Sequence, residues 1–124
     1  MTREELLSYL RAQGDVPFQW GVNDCVHFAA AGRYPVGFTY DSEVAAKRIL
    51  ADAGGLEAAV SQVLGPARTD LRECMDGDVV LASFKDYGHV LGLALGKVFF
   101  MKTQAGPVPP VEMRLALRFW PCPL

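Results

Sequence analysis

The chain has 124 residues, a formal net charge of −2, 51% hydrophobic residues and 21% charged ones. That size suits one domain with its own core, and the composition excludes a disordered chain, which lacks apolar residues to bury. No basic run offers nucleic acid or an anionic membrane an electrostatic footprint, so neither partner is expected.

The opening MTREELLSYL carries charge where an export signal needs apolar residues, so no signal peptide is expected. Thr2 and Glu5 have the spacing of a capping box, and Leu6, Leu7 and Leu10 share one face. A helix is therefore predicted up to about Gln13, before Gly14. In FQWGVNDCVHFAAAGRY, Trp20–Gly21 reads as a turn. Asn23 or Asp24 then caps an apolar, buried helix from Cys25 to about Gly32. A third helix is predicted over SEVAAKRILADA, capped by Asp41 or Ser42, with Val44, Ala45, Ile49 and Ala53 inward. Gly54 and Gly55 close it. LEAAVSQVL gives a fourth, with Leu56, Ala59, Val60 and Val63 on one side.

After Asp70 the period changes. DGDVVLASF, GHVLGLALG and KVFFMK read as strands, the last two joined tightly at Gly96–Lys97. The apolar run from Val90 to Met101, broken by Gly92, Gly96 and Lys97, is too short to span a bilayer. GPVPP has too many prolines for a central strand and reads as a loop, and LALRFW as the last strand. Helices first and an antiparallel sheet second predict a single α+β domain over residues 1–124.

Cys25, Cys74 and Cys122 are odd in number, widely spaced and without a CxxC pair, so no metal and no cofactor are expected. A metal or iron–sulfur site built from the three remains a third, weaker reading. Cys25 falls in the first turn of the second helix, where free N–H groups favour a thiolate and can hold an oxyanion. Burial among apolar groups would instead leave the thiol inert. His89, at the start of a strand, is the candidate general base. His27 lies two residues from Cys25, and residues two apart on a helix do not face each other. Asp24 reads as a helix cap rather than a catalytic acid. Asp76 and Asp78 flank Gly77 in a turn, and Phe18, Trp20 and Tyr34 read as packing residues.

The order of these features resembles the NlpC-like branch of the papain-like cysteine peptidase superfamily. The residues that carry the likeness are Phe18, Trp20, Gly21, Asp24, Cys25, Gly77, Asp78, His89 and Gly92. PFQWGVNDCVHFAA, AGGLEAAV, GDVVL and LALRFW are similar to a small NlpC-like family found in phage and prophage tail gene clusters. The resemblance implies helices packed on a C-terminal antiparallel sheet in a papain-like minimal core. It implies a hydrolase of amide bonds in peptidoglycan stem peptides, with Cys25 as nucleophile and backbone oxyanion donor and His89 as base. The imidazole would be oriented by a polar residue near the next strand, among Lys102, Thr103 and Gln104, of which Gln104 suits best chemically. Its partners would be the peptide substrate and phage tail-tip proteins, and its location the virion tail, or the host cytoplasm before assembly. The alternative is an inactive structural or assembly subunit of a tail tip. In HVLG two residues separate His89 from Gly92 where the branch has one, and such a change turns a side chain to the other face of a strand unless a bulge absorbs it.

Overall fold

Thr2 starts the first helix reciprocally: its hydroxyl accepts from the Glu5 N–H (3.1 Å), while its own N–H donates to the Glu5 carboxylate (3.2 Å). The computed structural model describes residues 1–124 apart from the side chain of Pro107. Helices α1 (Arg3–Gln13), α2 (Cys25–Ala30), α3 (Glu43–Ala53) and α4 (Leu56–Leu64) precede the sheet. The second helix is shorter than its composition predicts. Ala31 (φ 51°) and Gly32 (φ 70°) turn the chain left-handed just past Ala30. Ser42, not Asp41, caps α3 through the Ala45 N–H. The buried side of α3 is Ala46, with Leu50 packed behind it, whereas Val44 is 69% exposed. Val44 lies two residues from Ala46, on the opposite side of the helix, so its expected inward position is corrected.

Strands β1 (Val79–Phe84), β2 (Gly88–Leu95), β3 (Val98–Thr103), β4 (Gly106–Pro107), β5 (Val111–Glu112) and β6 (Arg118–Trp120) pair antiparallel. Their order is β4-β3-β2-β1-β6, with β5 also on β3. GPVPP is not wholly loop, because Gly106 and Pro107 pair with Thr103 and Lys102. These are marginal positions, where a missing N–H is tolerated. In LALRFW only Arg118–Trp120 joins the sheet.

Alternation divides the sheet into two buried faces. Val80, Ala82, Val90, Phe99, Met101 and Phe119 cluster on one. Val79, Leu81, Leu91 and Trp120 meet Ala29 of α2 and Leu56 and Val60 of α4 on the other. Each Val, Leu, Phe and Met side chain among them contributes about 1.5–3 kcal/mol by leaving water. Trp120 fixes the second face further, donating its indole N–H to the Ser61 hydroxyl (3.1 Å). Among the described residues no helix is long and apolar enough to cross a membrane.

Candidate functional site at Cys25

The turn before α2 depends on a glycine. Gly21 has φ +79°, and a Cβ there would lie 1.7 Å from the Tyr40 carbonyl oxygen. This close approach brings the 34–40 segment over the start of α2, where Tyr40 reaches Asp24. Asp24 is only 1% exposed. Its Oδ1 accepts from the His27 N–H (2.9 Å) and pairs with His27 Nδ1 (2.9 Å). Its Oδ2 accepts from the Gly21 N–H (3.0 Å) and the Tyr40 hydroxyl (2.5 Å). Burial acts to raise the Asp24 pKa, but the hydrogen bonds from His27, Tyr40 and Gly21 together hold it below the ordinary carboxylate range. Burial and the neighbouring carboxylate push the Tyr40 hydroxyl up, so it stays a donor. Asp24 is the predicted cap, and it is also the hub that ties α2 to the 34–40 segment.

Cys25 is the first residue of α2 and packs, half-buried, against the cluster that contains Leu91 and Ala29. Burial pushes its thiol up to about 11, and the Asp24 charge adds to the rise. The main-chain N–H groups of Leu91, Cys25 and Val26 act against it by hydrogen bonding to the sulfur. Among the described residues no oxygen accepts from the Cys25 or Val26 N–H. Of the two tendencies set out for this position, the helix start that favours a thiolate and the burial that favours a thiol, burial is the larger. A helix of six residues offers too small a dipole to offset the desolvation.

His89 lies on the Cys25 side of the sheet. The β1–β2 register runs without a bulge from Phe84↔Gly88 to Val79↔Leu93, so His89 shares its face with Leu91 and Leu93. Leu91 meets Ala29 of α2, and Leu93 meets Phe28. The reversal expected from HVLG does not occur. Gly92 faces the other way, where a Cβ would lie 2.6 Å from the Phe100 carbonyl oxygen and 2.9 Å from the Phe99 ring. The glycine admits that close packing and leaves His89 unaffected.

Gln104 is exposed in the turn after β3. The β2–β3 ladder ends at Gly92↔Met101, and the chain turns at Gln104 toward β4. Lys102 is engaged elsewhere, donating to the Gln13 carbonyl (3.1 Å) and side-chain oxygen (2.7 Å). Thr103 is buried, and its hydroxyl points to the Gly106 carbonyl (3.5 Å). Cys25, His89 and Gln104 line one cleft of about 330 Å³. His27 opens on a different one, with Val22 and Thr39.

The other cysteines lie elsewhere. Cys74 packs on the opposite face of the sheet, and Cys122 beside Trp120, all three thiols being free. Among the described residues no three His, Cys, Asp or Glu side chains converge as metal ligands. Phe18, Trp20 and Tyr34 pack, as expected, but they also form cleft wall, with Phe18 and Trp20 edge to face at 4.9 Å. Sequence reasoning missed Tyr40. The aromatic spacing of YPVGFTY is the one signal for it, since Tyr40 meets Asp24 across sixteen residues. A family model described as a domain of unknown function, DUF6950, matches residues 2–122. No curated protein matches the chain.

Proposed function

Because the chain belongs to the DUF6950 family, which carries no assigned activity, the chemistry has to come from the cleft, and we propose that the protein is an NlpC-like cysteine hydrolase. Its substrate would be an amide bond in a peptidoglycan stem peptide, the class the sequence resemblance implies. One observation carries this reading: Cys25, capped by a saturated buried Asp24, shares a cleft with His89, which lies on the same face of β2 as the Leu91 that touches the sulfur.

In this mechanism His89 takes the Cys25 proton as sulfur attacks the amide carbon. As the sulfur moves onto the carbon, the N–H groups of Cys25 and Val26 turn from the sulfur, which they contact in the resting protein, to the oxyanion. The C–N bond then breaks, the amine leaves with the proton from His89, and water hydrolyses the thioester. Gln104 steadies the imidazole from the turn after β3. With the thiol pushed up to about 11, the base is indispensable. The expected result is turnover of purified peptidoglycan that falls at least about 10³-fold in both Cys25→Ala and His89→Ala. No turnover, or turnover indifferent to Cys25→Ala, sinks the reading.

The raised thiol pKa favours a second reading, a catalytically silent domain of the same kind used as a structural subunit of a phage tail tip. Alkylation separates the two. A silent thiol reacts with iodoacetamide tenfold faster per pH unit up to about 11, with no change in His89→Ala. A working pair reacts at neutral pH and loses that reactivity in His89→Ala.

A further inference from the structure

Beyond Cys25 the cleft continues as an arm between α3, α4 and the 34–40 segment. Its walls are Val36, Phe38, Ile49, Leu50, Leu56 and Val63. The spacing explains the lining. Glu43, Ala46, Lys47 and Leu50 follow the i, i+3, i+4, i+7 pattern on α3, and Leu56, Ala59, Val60 and Val63 repeat it on α4. Both helices turn these stripes to the cleft, and Leu50 packs on the same core cluster as Cys25.

The cations that line this cleft are engaged, and Asp86, in the turn between β1 and β2, is an anion that offers a carboxylate nothing. Glu43 and Lys47 pair with each other at 2.9 Å, with both side chains largely exposed at the solvent end. Asp24 has its oxygens filled by Gly21, His27 and Tyr40. Lys102 is held by Gln13. The arm thus has a charged mouth and an apolar interior without a counter-charge for a carboxylate.

We propose that this arm is the acyl-side subsite, and that the bond cleaved has an uncharged apolar group, aliphatic or aromatic, on its carbonyl side. The inference rests on the hydrolase reading of the same site and narrows its substrate. The carbonyl carbon bonds to the Cys25 sulfur, so its substituent extends from Cys25 along the cleft, and the arm is the apolar course open to it. A carboxylate drawn there would lose its hydration without a partner. Any carboxylate of a stem peptide stays outside the arm, in solvent. The whole cleft, catalytic part included, holds about 330 Å³, so the arm takes a short chain or one side chain.

p-Nitrophenyl esters of acetate, butyrate and hexanoate test the arm, with the mono-ester of glutarate as a charged chain of similar length. Each acylates Cys25 by forming the thioester, releasing p-nitrophenolate and passing the thiol proton to His89. A fully buried methylene is worth about fourfold, so the four added from acetate to hexanoate have a ceiling of about 250-fold; a rise of at least about tenfold is expected, with glutarate no faster than acetate. Ile49→Glu should bring the hexanoate-to-acetate ratio close to one. The ester of N-acetylleucine distinguishes an amino-acid side chain from a fatty chain as the source of the apolar group. Methyl NMR of the wild type titrated with hexanamide, and with succinamate as the charged control, reads the arm without chemistry. Shifts at Ile49, Leu50 and Leu56 with hexanamide alone support the subsite even if no ester reacts, in which case the hydrolase reading falls and the subsite stands. A flat ester series with Cys25-dependent acylation, or no methyl shifts, overturns the subsite and spares the hydrolase.

Discussion

Asp24 and Asp78 are two buried carboxylates built on one plan. Each follows a left-handed glycine whose missing side chain admits a distant part of the chain: Gly21 beneath the Tyr40 carbonyl, and Gly77 where a Cβ would lie 2.3 Å from Leu124. Each accepts local and remote hydrogen bonds. Asp78 receives the Met75 N–H (2.9 Å) and the Cys122 N–H (2.9 Å), which ties the chain's last residues to the start of β1. Asp24 receives main-chain N–H groups too, but also a phenol and an imidazole, and its neighbour is the cleft cysteine. The difference teaches that a glycine with a nearby aspartate marks an anchor. What surrounds the anchor decides whether it belongs to a site.

The largest effect that tests this contrast is Asp24→Ala. It strands the Tyr40 hydroxyl and two N–H groups, and we expect a loss of about 4 kcal/mol in urea unfolding. Asp78→Ala strands two N–H groups and should cost about 2–3 kcal/mol. It should leave Cys25 alkylation in the folded protein unchanged, whereas Asp24→Ala should alter it. Equal alkylation in both variants would break the distinction. Next in size is a pH effect. The folded pKa of Asp24 lies below its unfolded value, so its contribution is complete above about pH 4 and disappears as the pH falls through the folded value. The stability gap between wild type and Asp24→Asn should therefore shrink by at most about 1.4 kcal/mol per pH unit on acidification, and a gap constant from pH 5 to pH 2.5 contradicts this. The smallest is Tyr40→Phe, which removes one charge-assisted hydrogen bond and should cost about 1.5–2 kcal/mol by thermal unfolding. No loss there would mean that Asp24 anchors through main-chain groups alone, as Asp78 does.

Local physics in the sequence reached the α+β class, the capping box at Thr2, the Asp24 cap and strands β1 to β3, because these depend on residues a few positions apart. The inward side of α3 was misjudged. Val44 and Ala46 are both apolar, and which of them is covered depends on how the helix docks on the rest of the fold, which no local pattern encodes. The prolines of GPVPP hid β4 because being at the sheet margin is a tertiary property. At the site, Cys25 and His89 were legible as residue types at element starts. Their shared face became visible only with the uninterrupted β2 register, and Tyr40 only with the fold that seats it on Asp24.

The order β4-β3-β2-β1-β6 has a consequence for assembly in time. The hairpins β1–β2 and β2–β3 close short loops, whereas β1 meets β6 through Val79↔Trp120 only after most of the sheet sequence has intervened. Longer closures cost more entropy and form later. The strand that carries His89 belongs to the early, local part of the sheet. The wall around Trp120, against which Leu56 and Val60 of the apolar arm rest, comes with the late one. The chain can thus place His89 before it finishes the chamber that His89 lines.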